Sequence, residues 1–448
     1  MAGPSKFCDG VTRRNALRMG MASWVGGGVS LAGMLQARAE DATTPTSTYR
    51  QEISTIVIFL NGGLSTIDTF DLKPEAPAEF RGEYSPIATN VPGMMIGEHL
   101  PMLAQHADKY ALLRSFTHRN SDHGPADHYM LTGYHPTPAF NPNLKPNNER
   151  PSHGAIISKM LGPRGSVPPY VCLPRMHNSA GSAYLGSNSA PFVVEADPNT
   201  PNFSVPDLLP PFSIDGNRLT DRQGLLSKID RYRKSAELTG NRHAQTLNAF
   251  QQRAFDLMTS PETREAFSID KEPRELRDAY GRNSLGQGCL MARRLIESGV
   301  RCVYVDHANW DTHNNNFHIL KNDLLPQLDP AMTMLLKDLA ERDILKTTLV
   351  ILMGEFGRTP RVNGNAGRDH WGPSNCLLLA GGGIKGGCVI GATNSRGEKP
   401  DADPVGPEDL SATIYRLLGI DPDVEFRTPE GRPVKIVNNG RVITDLLV

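Results

Sequence analysis

Two stretches of this 448-residue chain are rich in histidine and acidic residues, the residue types that commonly bind metal ions. Of the thirteen histidines, His307, His313, His318 and His370 fall in one stretch with several carboxylates, and five fall in the other, between residues 118 and 153. Neutral imidazole and carboxylate are the ligands that suit zinc, manganese or iron. These residue types therefore predict a metal site wherever the fold brings the two stretches together.

Four apolar, β-branched runs give the elements that must position these side chains. Each ends in a polar or glycine-rich loop, as a buried strand of a parallel sheet does; the runs are Ile53–Leu60, Val300–Val305, Thr347–Met353 and Cys376–Leu379. Amphipathic helical patterns precede the second and third runs, so strands and helices alternate along the chain. The sequence therefore predicts an α/β fold with a largely parallel central sheet.

The candidate site residues follow the ends of these predicted strands. In open α/β sheets, ligands bind beyond the carboxyl ends of the strands. The candidates are Asp68 after the first strand, Asp311 and His313 after the second, and Glu355, Arg358 and His370 after the third. Some of these residues have a structural alternative: Asp311 and His313 fit a capped turn, and Arg358 could pair with Glu355 instead of clamping an anion.

The first 39 residues have the features of a twin-arginine signal peptide. Arg13 and Arg14 precede an uncharged, glycine-rich stretch, Met19–Leu35, and Ala37–Ala39 forms an A-x-A cleavage site. We expect the twin-arginine export machinery to deliver the folded protein to the periplasm, and cleavage to leave no stable membrane span. The alternative is that the apolar stretch remains as an anchor.

The charge balance excludes a general attraction to nucleic acid. The whole chain has 47 basic and 48 acidic residues, a formal charge of −1. Removal of residues 1–39 takes away five basic residues and one acidic residue, so the mature chain has 42 basic against 47 acidic residues, or −5. We therefore expect no nucleic-acid partner, and an anionic substrate would need a local cationic centre.

Residues 51–448 are predicted to form one domain behind a Thr/Pro-rich linker at residues 40–50. Residues 137–220 are rich in Pro, Asn, Gly and Ser, which predicts a loop-rich insertion lying over one end of the sheet. Asp221–Phe267 returns to a polar helical pattern. The five cysteines of the mature chain lack C-x-x-C spacing, which favours buried thiols over a disulfide framework.

The order of motifs resembles the alkaline-phosphatase-like superfamily, the sulfatases in particular. Pro125–Pro136 is similar to the sulfatase signature, and Thr348–Gly357 is similar to the strand that supplies metal ligands there. Asn61–Gly63, Gly354–Thr359 and Gly367–Gly372 resemble, more closely, an exported bacterial family called domain of unknown function 1501. The resemblance implies an alkaline-phosphatase-like three-layer sandwich and chemistry on an ester.

The departures from the sulfatase pattern concern the residues that do the chemistry. His123 occupies the aligned position of the nucleophile, which excludes formylglycine chemistry there. Asp127 stands at the signature arginine, and Asn61 stands where the superfamily places a metal-ligating aspartate. Glu355–Phe356 stands where the superfamily has an Asp followed by a His or an Asn.

The residues that remain favour a metal-dependent hydrolase of a phosphate or sulfate ester. We predict that Asp311, His313 and His370 hold a divalent ion (zinc, manganese or calcium), that Glu355 or Asp68 completes the shell or orients water, that Arg358 steadies the anionic group, and that His123 is a general acid or further ligand. The implied substrate is an anionic small-molecule or polysaccharide ester. The alternative is a catalytically degenerate sulfatase-like protein that binds an anionic glycan or a protein partner.

Overall fold

The computed structural model describes residues 52–205, 208 and 260–448. The predicted signal peptide at 1–39, the linker at 40–50 and most of the helical pattern from Asp221 lie outside these residues. No helix in the described part of the chain is both long enough and apolar enough to cross a bilayer.

The described strands form one central sheet and four two-stranded ribbons. In chain order they are β1 Ser54–Leu60, β2 Pro86–Ala88, β3 Met95–Gly97, β4 Tyr110–Phe116, β5 Tyr170–Leu173, β6 Phe192–Val193, β7 Cys302–His307, β8 Thr348–Met353, β9 Gly357–Arg358, β10 His370–Trp371, β11 Asn375–Ala380, β12 Cys388–Ile390, β13 Ala392–Thr393, β14 Pro400–Ala402, β15 Glu425–Arg427 and β16 Pro433–Lys435.

The α-helical segments of the described residues range from one turn to 17 residues. They are α1 Ala78–Arg81, α2 Pro101–Ala104, α3 His123–Thr132, α4 His153–Leu161, α5 Pro261–Phe267, α6 Arg274–Tyr280, α7 Ser284–Glu297, α8 Asn316–Ile319, α9 Leu325–Glu341 and α10 Pro407–Leu417. A π-helical turn, Leu320–Leu324, joins α8 to α9.

The central sheet has eight strands in the order β12-β4-β11-β8-β1-β7-β5-β6. All of its strands run in one direction except β11, which is antiparallel to both of its neighbours. β1 lies between β8 and β7 and is buried along its whole length. Its apolar run is therefore explained by cover on both faces, and the four predicted strands are all present.

Helices cover both faces of the sheet and make three layers. Ile56 and Ile58 of β1 pack on one side with the apolar residues of α7 and α9. Val57 and Phe59 pack on the opposite side with residues of α3, α4 and α10. The predicted three-layer α/β class with a largely parallel sheet is confirmed.

The region predicted as an insertion, residues 137–220, contributes to the sheet itself. β5 pairs in parallel with β7, and β6 pairs in parallel with β5, so both extend one side of the sheet. α4 packs in the layer on the Val57 side. The prediction of loops lying over the sheet is therefore wrong for these elements, whose short length hid them among Pro and Gly residues.

Candidate metal centre

The candidate centre lies at the edge of the sheet where β1, β7 and β8 end. Asp311 and His313 follow β7, and Glu355 follows β8. β11 runs the opposite way, so the chain just before it lies at this same edge; that segment contains β10, which begins at His370. β10 pairs with β9, and this register places His370 opposite Arg358. The fold thus brings together Asp311 and His370, which are 59 positions apart along the chain.

Three imidazoles and one carboxylate converge at this edge. Asp311 Oδ1 lies 3.0 Å from His370 Nε2 and 3.1 Å from His313 Nε2, and the two imidazole nitrogens are 2.9 Å apart. His123 Nε2, at the start of α3, lies 3.4 Å from Asp311 Oδ2. Ligand atoms from His123, Asp311 and His370 all lie within 4.8 Å of one another. The donor atoms of His123, Asp311 and His370 are therefore close enough to share one ion, and His313 Nε2 lies beside two of them.

Each of these imidazoles uses its Nδ1 to donate a hydrogen bond to an oxygen away from the cluster. His370 Nδ1 donates to the Ser121 carbonyl at 2.9 Å, and His313 Nδ1 donates to Asp369 Oδ1 at 2.7 Å. His123 Nδ1 donates to Glu355 Oε1 at 2.7 Å. In the neutral ring this leaves a lone pair on every Nε2, the atom that faces the cluster.

Facing lone pairs repel, and a cation between them, either a proton or a metal ion, relieves the repulsion. The Nε2 atoms of His313 and His370 have no proton to share in the neutral tautomers fixed by Ser121 and Asp369. The adjacent Asp311 oxygen is also an acceptor. A divalent ion satisfies these atoms at once, and an oxygen or imidazole partner on the far nitrogen is the usual support of a metal-ligating histidine. The residues present therefore fit a metal ion.

The donor set discriminates among the three metals named from the sequence. Three imidazole nitrogens and one carboxylate suit zinc or manganese. Calcium takes six to eight oxygen ligands, so this nitrogen-rich set does not fit calcium. The side chains of His123, His313 and Asp311 are 37–41% exposed. The centre is therefore open to solvent on one side, as catalytic metal sites are and closed structural sites are not.

Glu355 contacts His123 on the side of the ring that faces away from the cluster, and it is not placed as a ligand. Its side chain is fully buried, and its carboxylate accepts hydrogen bonds from His123 Nδ1 and from the Gly62 amide at 2.9 and 3.1 Å. Burial and the neighbouring charge of Asp127 raise the pKa of Glu355, against the hydrogen bond from His123. That same hydrogen bond raises the pKa of His123. The prediction that Glu355 binds metal is corrected to an orienting contact.

Gly62 makes the Glu355 contact possible because its backbone is in the left-handed region, at φ +117°. A Cβ atom built there would lie 2.4 Å from the amide nitrogen of Asp311. The glycine therefore allows β1 to end directly against the chain that bears Asp311.

Arg358 is a buried scaffold residue and not a free anion clamp. Its Nη2 donates to Asp311 Oδ1 at 2.6 Å and to the Gly62 carbonyl, and its Nε donates to the Gly63 carbonyl at 3.0 Å. The Arg358 side chain is 0% exposed. Although burial opposes it, the bond from Arg358 lowers the pKa of Asp311 to about 2. The predicted role in steadying a substrate anion is therefore corrected: Arg358 keeps Asp311 ionised and in place.

Asp68 lies outside the cluster, in a fully buried ion pair. Arg368 donates to both of its oxygens, Nε to Oδ2 and Nη2 to Oδ1, each at 2.8 Å. Ser65 and Asn316 donate to Oδ2 as well, at 2.6 and 2.9 Å. With both oxygens engaged, Asp68 is not available to bind metal or orient water, so this prediction is corrected. The bidentate partner, Arg368, carried no sequence signal beyond its place beside Asp369.

The residues that support the centre carry little signal in the sequence. Asp369 was recognisable as the neighbour of His370, but its hydrogen bond goes to His313. Ser121 acts through its backbone carbonyl, for which side-chain identity gives no signal. Asp306 and His307 are the last residues of β7, and His307 Nδ1 accepts a hydrogen bond from Trp310 Nε1 at 3.0 Å.

Fold and centre together define a three-layer α/β protein with a candidate metal centre at the carboxyl ends of its parallel strands. The chain belongs to the family described as Protein of unknown function (DUF1501), whose profile matches residues 53–447. No curated protein matches the sequence.

Solved structures resemble the chain at low identity. They include the PsFucS1 sulfatase from Pseudoalteromonas sp. (12% identity, TM-score 0.38, 92% of this chain and 73% of that chain covered). The phosphonate monoester hydrolase SpPMH from Silicibacter pomeroyi has 13% identity and a TM-score of 0.33, with 88% and 76% covered. The lipoteichoic acid synthase LtaP from Listeria monocytogenes has 10% identity and a TM-score of 0.34, with 83% and 73% covered.

Proposed function

We propose that this protein is a metal-dependent hydrolase of a phosphate or sulfate ester. The observation that carries the proposal is the convergence of three imidazole Nε2 atoms on the Asp311 carboxylate, each with its Nδ1 donating to a supporting oxygen. The centre is open to solvent, which a substrate requires and a structural metal site does not.

The roles of the residues follow from these contacts. Asp311, His313, His370 and His123 hold the ion, while Glu355, Asp369 and the Ser121 carbonyl fix the three rings. When bound, a divalent ion polarises a phosphoryl or sulfuryl oxygen and lowers the pKa of a coordinated water to about 7. Arg358 keeps Asp311 ionised, so the carboxylate is available over the whole physiological pH range.

Hydrolysis without a covalent intermediate agrees with the residue at the sulfatase nucleophile position. His123 is there, and its Nδ1 is engaged by Glu355. The Ser121 hydroxyl, two positions earlier, accepts a hydrogen bond from the Gly372 amide at 3.1 Å. The likeness of the motif order to the sulfatases supports a sulfate or phosphate ester as substrate, and zinc or manganese is the proposed ion.

We also propose that the protein works outside the cytoplasm. The support is the sequence of residues 1–39, with its twin arginines and A-x-A site. These residues precede the family match, which begins at residue 53. Mass spectrometry of the protein from a periplasmic fraction would show a mature amino terminus at Glu40 if cleavage takes place there.

The first test of the proposed function is metal content and thermal unfolding of the purified protein before and after chelation. We expect one tightly bound zinc or manganese ion per chain and a lower melting temperature after its removal. His370→Ala should lose the ion and all turnover of aryl phosphate and aryl sulfate esters. His106→Ala is the matched control, because His106 precedes β4 at the opposite edge of the sheet. The proposal would be refuted if the purified protein held no ion and its melting temperature did not change on chelation.

A second candidate function is a metal-dependent binding protein. It is favoured by one observation: Arg358, the predicted anion clamp, has all three of its nitrogens engaged by the protein. Metal bound at full stoichiometry with no turnover of either ester class would support this second function over hydrolysis.

A further inference from the structure

Arg175 lies in the loop after β5 and presents part of its guanidinium to solvent. Its Nε donates to Asp306 Oδ2 at 2.5 Å, and that carboxylate is completely buried. The side chain of Arg175 is 56% exposed. Its two Nη groups make no hydrogen bond or ion pair with any other residue that the structure describes. The arginine is thus fixed at one end, and the four N–H donors at the other end have no partner among the described residues.

The sheet register places Arg175 on the same side as the metal centre. Phe59 of β1 is opposite both Met353 and Asp306. Side chains alternate along a strand, so Asn61 and Glu355, two positions beyond these, continue the same face at its carboxyl edge. Asn61 Nδ2 donates to Asp306 Oδ1 at 3.4 Å. Two strand spacings of about 4.8 Å across the sheet and two residues of about 3.3 Å along the strand place Asp306 roughly 12 Å from Glu355 on this face.

We propose that Arg175 binds an anionic group, a phosphate, sulfate or carboxylate, of the ligand that occupies this edge of the sheet. The inference rests on the proposed function. That function needs a cationic side chain to contact the anionic substrate, and Arg358 is not free to do so. Asp306, Asp311 and Glu355 place three carboxylates at this edge, and an anionic ligand needs a positive group there to offset them. The free fork of Arg175 matches the two oxygens of such a ligand.

Arg119 is the competing cation, because it is exposed in the loop that leads to Ser121. Arg119 has no side-chain partner among the described residues. It would therefore lose more rotamer freedom on binding than Arg175, whose Nε is already held by Asp306. Pre-positioning favours Arg175.

The test is the dissociation constant of inorganic phosphate, measured by calorimetry on metal-loaded and metal-free protein, with metal content determined on every sample. We expect Arg175→Gln to weaken phosphate binding at least tenfold while the bound metal is unchanged. Arg119→Gln should change it less than twofold. Arg282→Gln is the matched control, since Arg282 also donates through Nε to a carboxylate, Asp278, at 2.5 Å and is 40% exposed.

A further variant separates binding from folding. Arg175→Gln leaves the buried Asp306 charge without its partner, whereas the double variant Arg175→Gln/Asp306→Asn removes both charges together. The double variant should fold as the wild type does and still bind phosphate at least tenfold more weakly. Unchanged phosphate affinity in the double variant, a loss confined to Arg119→Gln, or no phosphate binding by metal-loaded wild-type protein would each overturn the inference. Absence of bound metal from the wild-type protein would instead count against the proposed function.

Discussion

Replacement of Gly367 by alanine should disrupt the proposed metal centre although it replaces none of the proposed ligands. A Cβ atom at this position would lie 1.8 Å from the carbonyl oxygen of His313 and 2.2 Å from its carbonyl carbon. Ordinary contacts of this kind are about 3.5 Å, so the two chain segments must separate by roughly 1.5 Å. Gly367 precedes His370 by three positions, so this displacement acts on the two imidazoles directly.

The expected loss follows from the tolerance of metal coordination. His313 Nε2 and His370 Nε2 are 2.9 Å apart, and ligand distances in metal sites hold to within about 0.2 Å. A displacement several times this tolerance should remove one ligand, and we expect metal affinity to fall at least a hundredfold. Overpacking of this kind costs about 1–3 kcal/mol of folding free energy, so the protein should remain folded. Competition with a metal-sensitive dye measures the affinity, and circular dichroism checks the fold.

Gly364 provides the matched control in the same loop. A Cβ atom at Gly364 meets nothing within 4 Å, so Gly364→Ala should bind metal as the wild type does. If Gly367→Ala binds metal with wild-type affinity, the close packing of this loop against His313 is not what holds the two imidazoles together, and the reasoning fails.

Three further predictions concern the support of the centre and the buried polar groups. Asp369→Asn should weaken metal affinity about 10- to 100-fold, measured by the same competition, since the hydrogen bond that orients His313 becomes weaker; an unchanged affinity would contradict this. Asp68→Asn should cost about 3–5 kcal/mol of unfolding free energy in denaturant titrations, because Arg368 stays buried without a counter-charge, yet metal content should not change; loss of metal would restore Asp68 as a ligand. Burial lowers the pKa of His153 to about 4, against about 6.5 in the unfolded chain, so the unfolded state binds more protons between these values. The contribution of His153 to the free energy of unfolding is then fully present above pH 6.5 and falls by on the order of 3 kcal/mol by pH 4. His153→Gln should reduce this pH dependence in unfolding curves recorded at pH 4.5 and 7.5.

The strands could be predicted from sequence because burial on both faces leaves a continuous apolar signature. Four strands were found in this way, and their carboxyl ends led to Asp311, His313 and His370. His370 depended on one further feature that no local pattern shows. β11 is antiparallel to its neighbours, so the residues before it, and not those after it, reach the site. β5 and β6 escaped detection because four- and two-residue strands have too few positions to show a pattern.

The roles of the charged residues could not be predicted from sequence, because they depend on partners far along the chain. Asp68 and Arg368 are 300 positions apart, and they neutralise each other in an ion pair. Arg358 is 47 positions from Asp311 and 296 from Gly62. Composition shows that such charges exist, but only the fold shows whether a carboxylate or a guanidinium has donors or acceptors left for a ligand.

Two of the positions that depart from the sulfatase pattern, those of His123 and Glu355, are in direct contact with each other. His123, at the nucleophile position, donates to Glu355, which stands in place of the usual Asp. Phe356, which replaces the neighbouring His or Asn, packs against the rings of His123 and His370 at centroid distances of 5.2 and 4.5 Å. An imidazole with a carboxylate behind it and an aromatic ring beside it has the usual support of a metal ligand, and this contact is what the proposed metal-dependent function needs at His123.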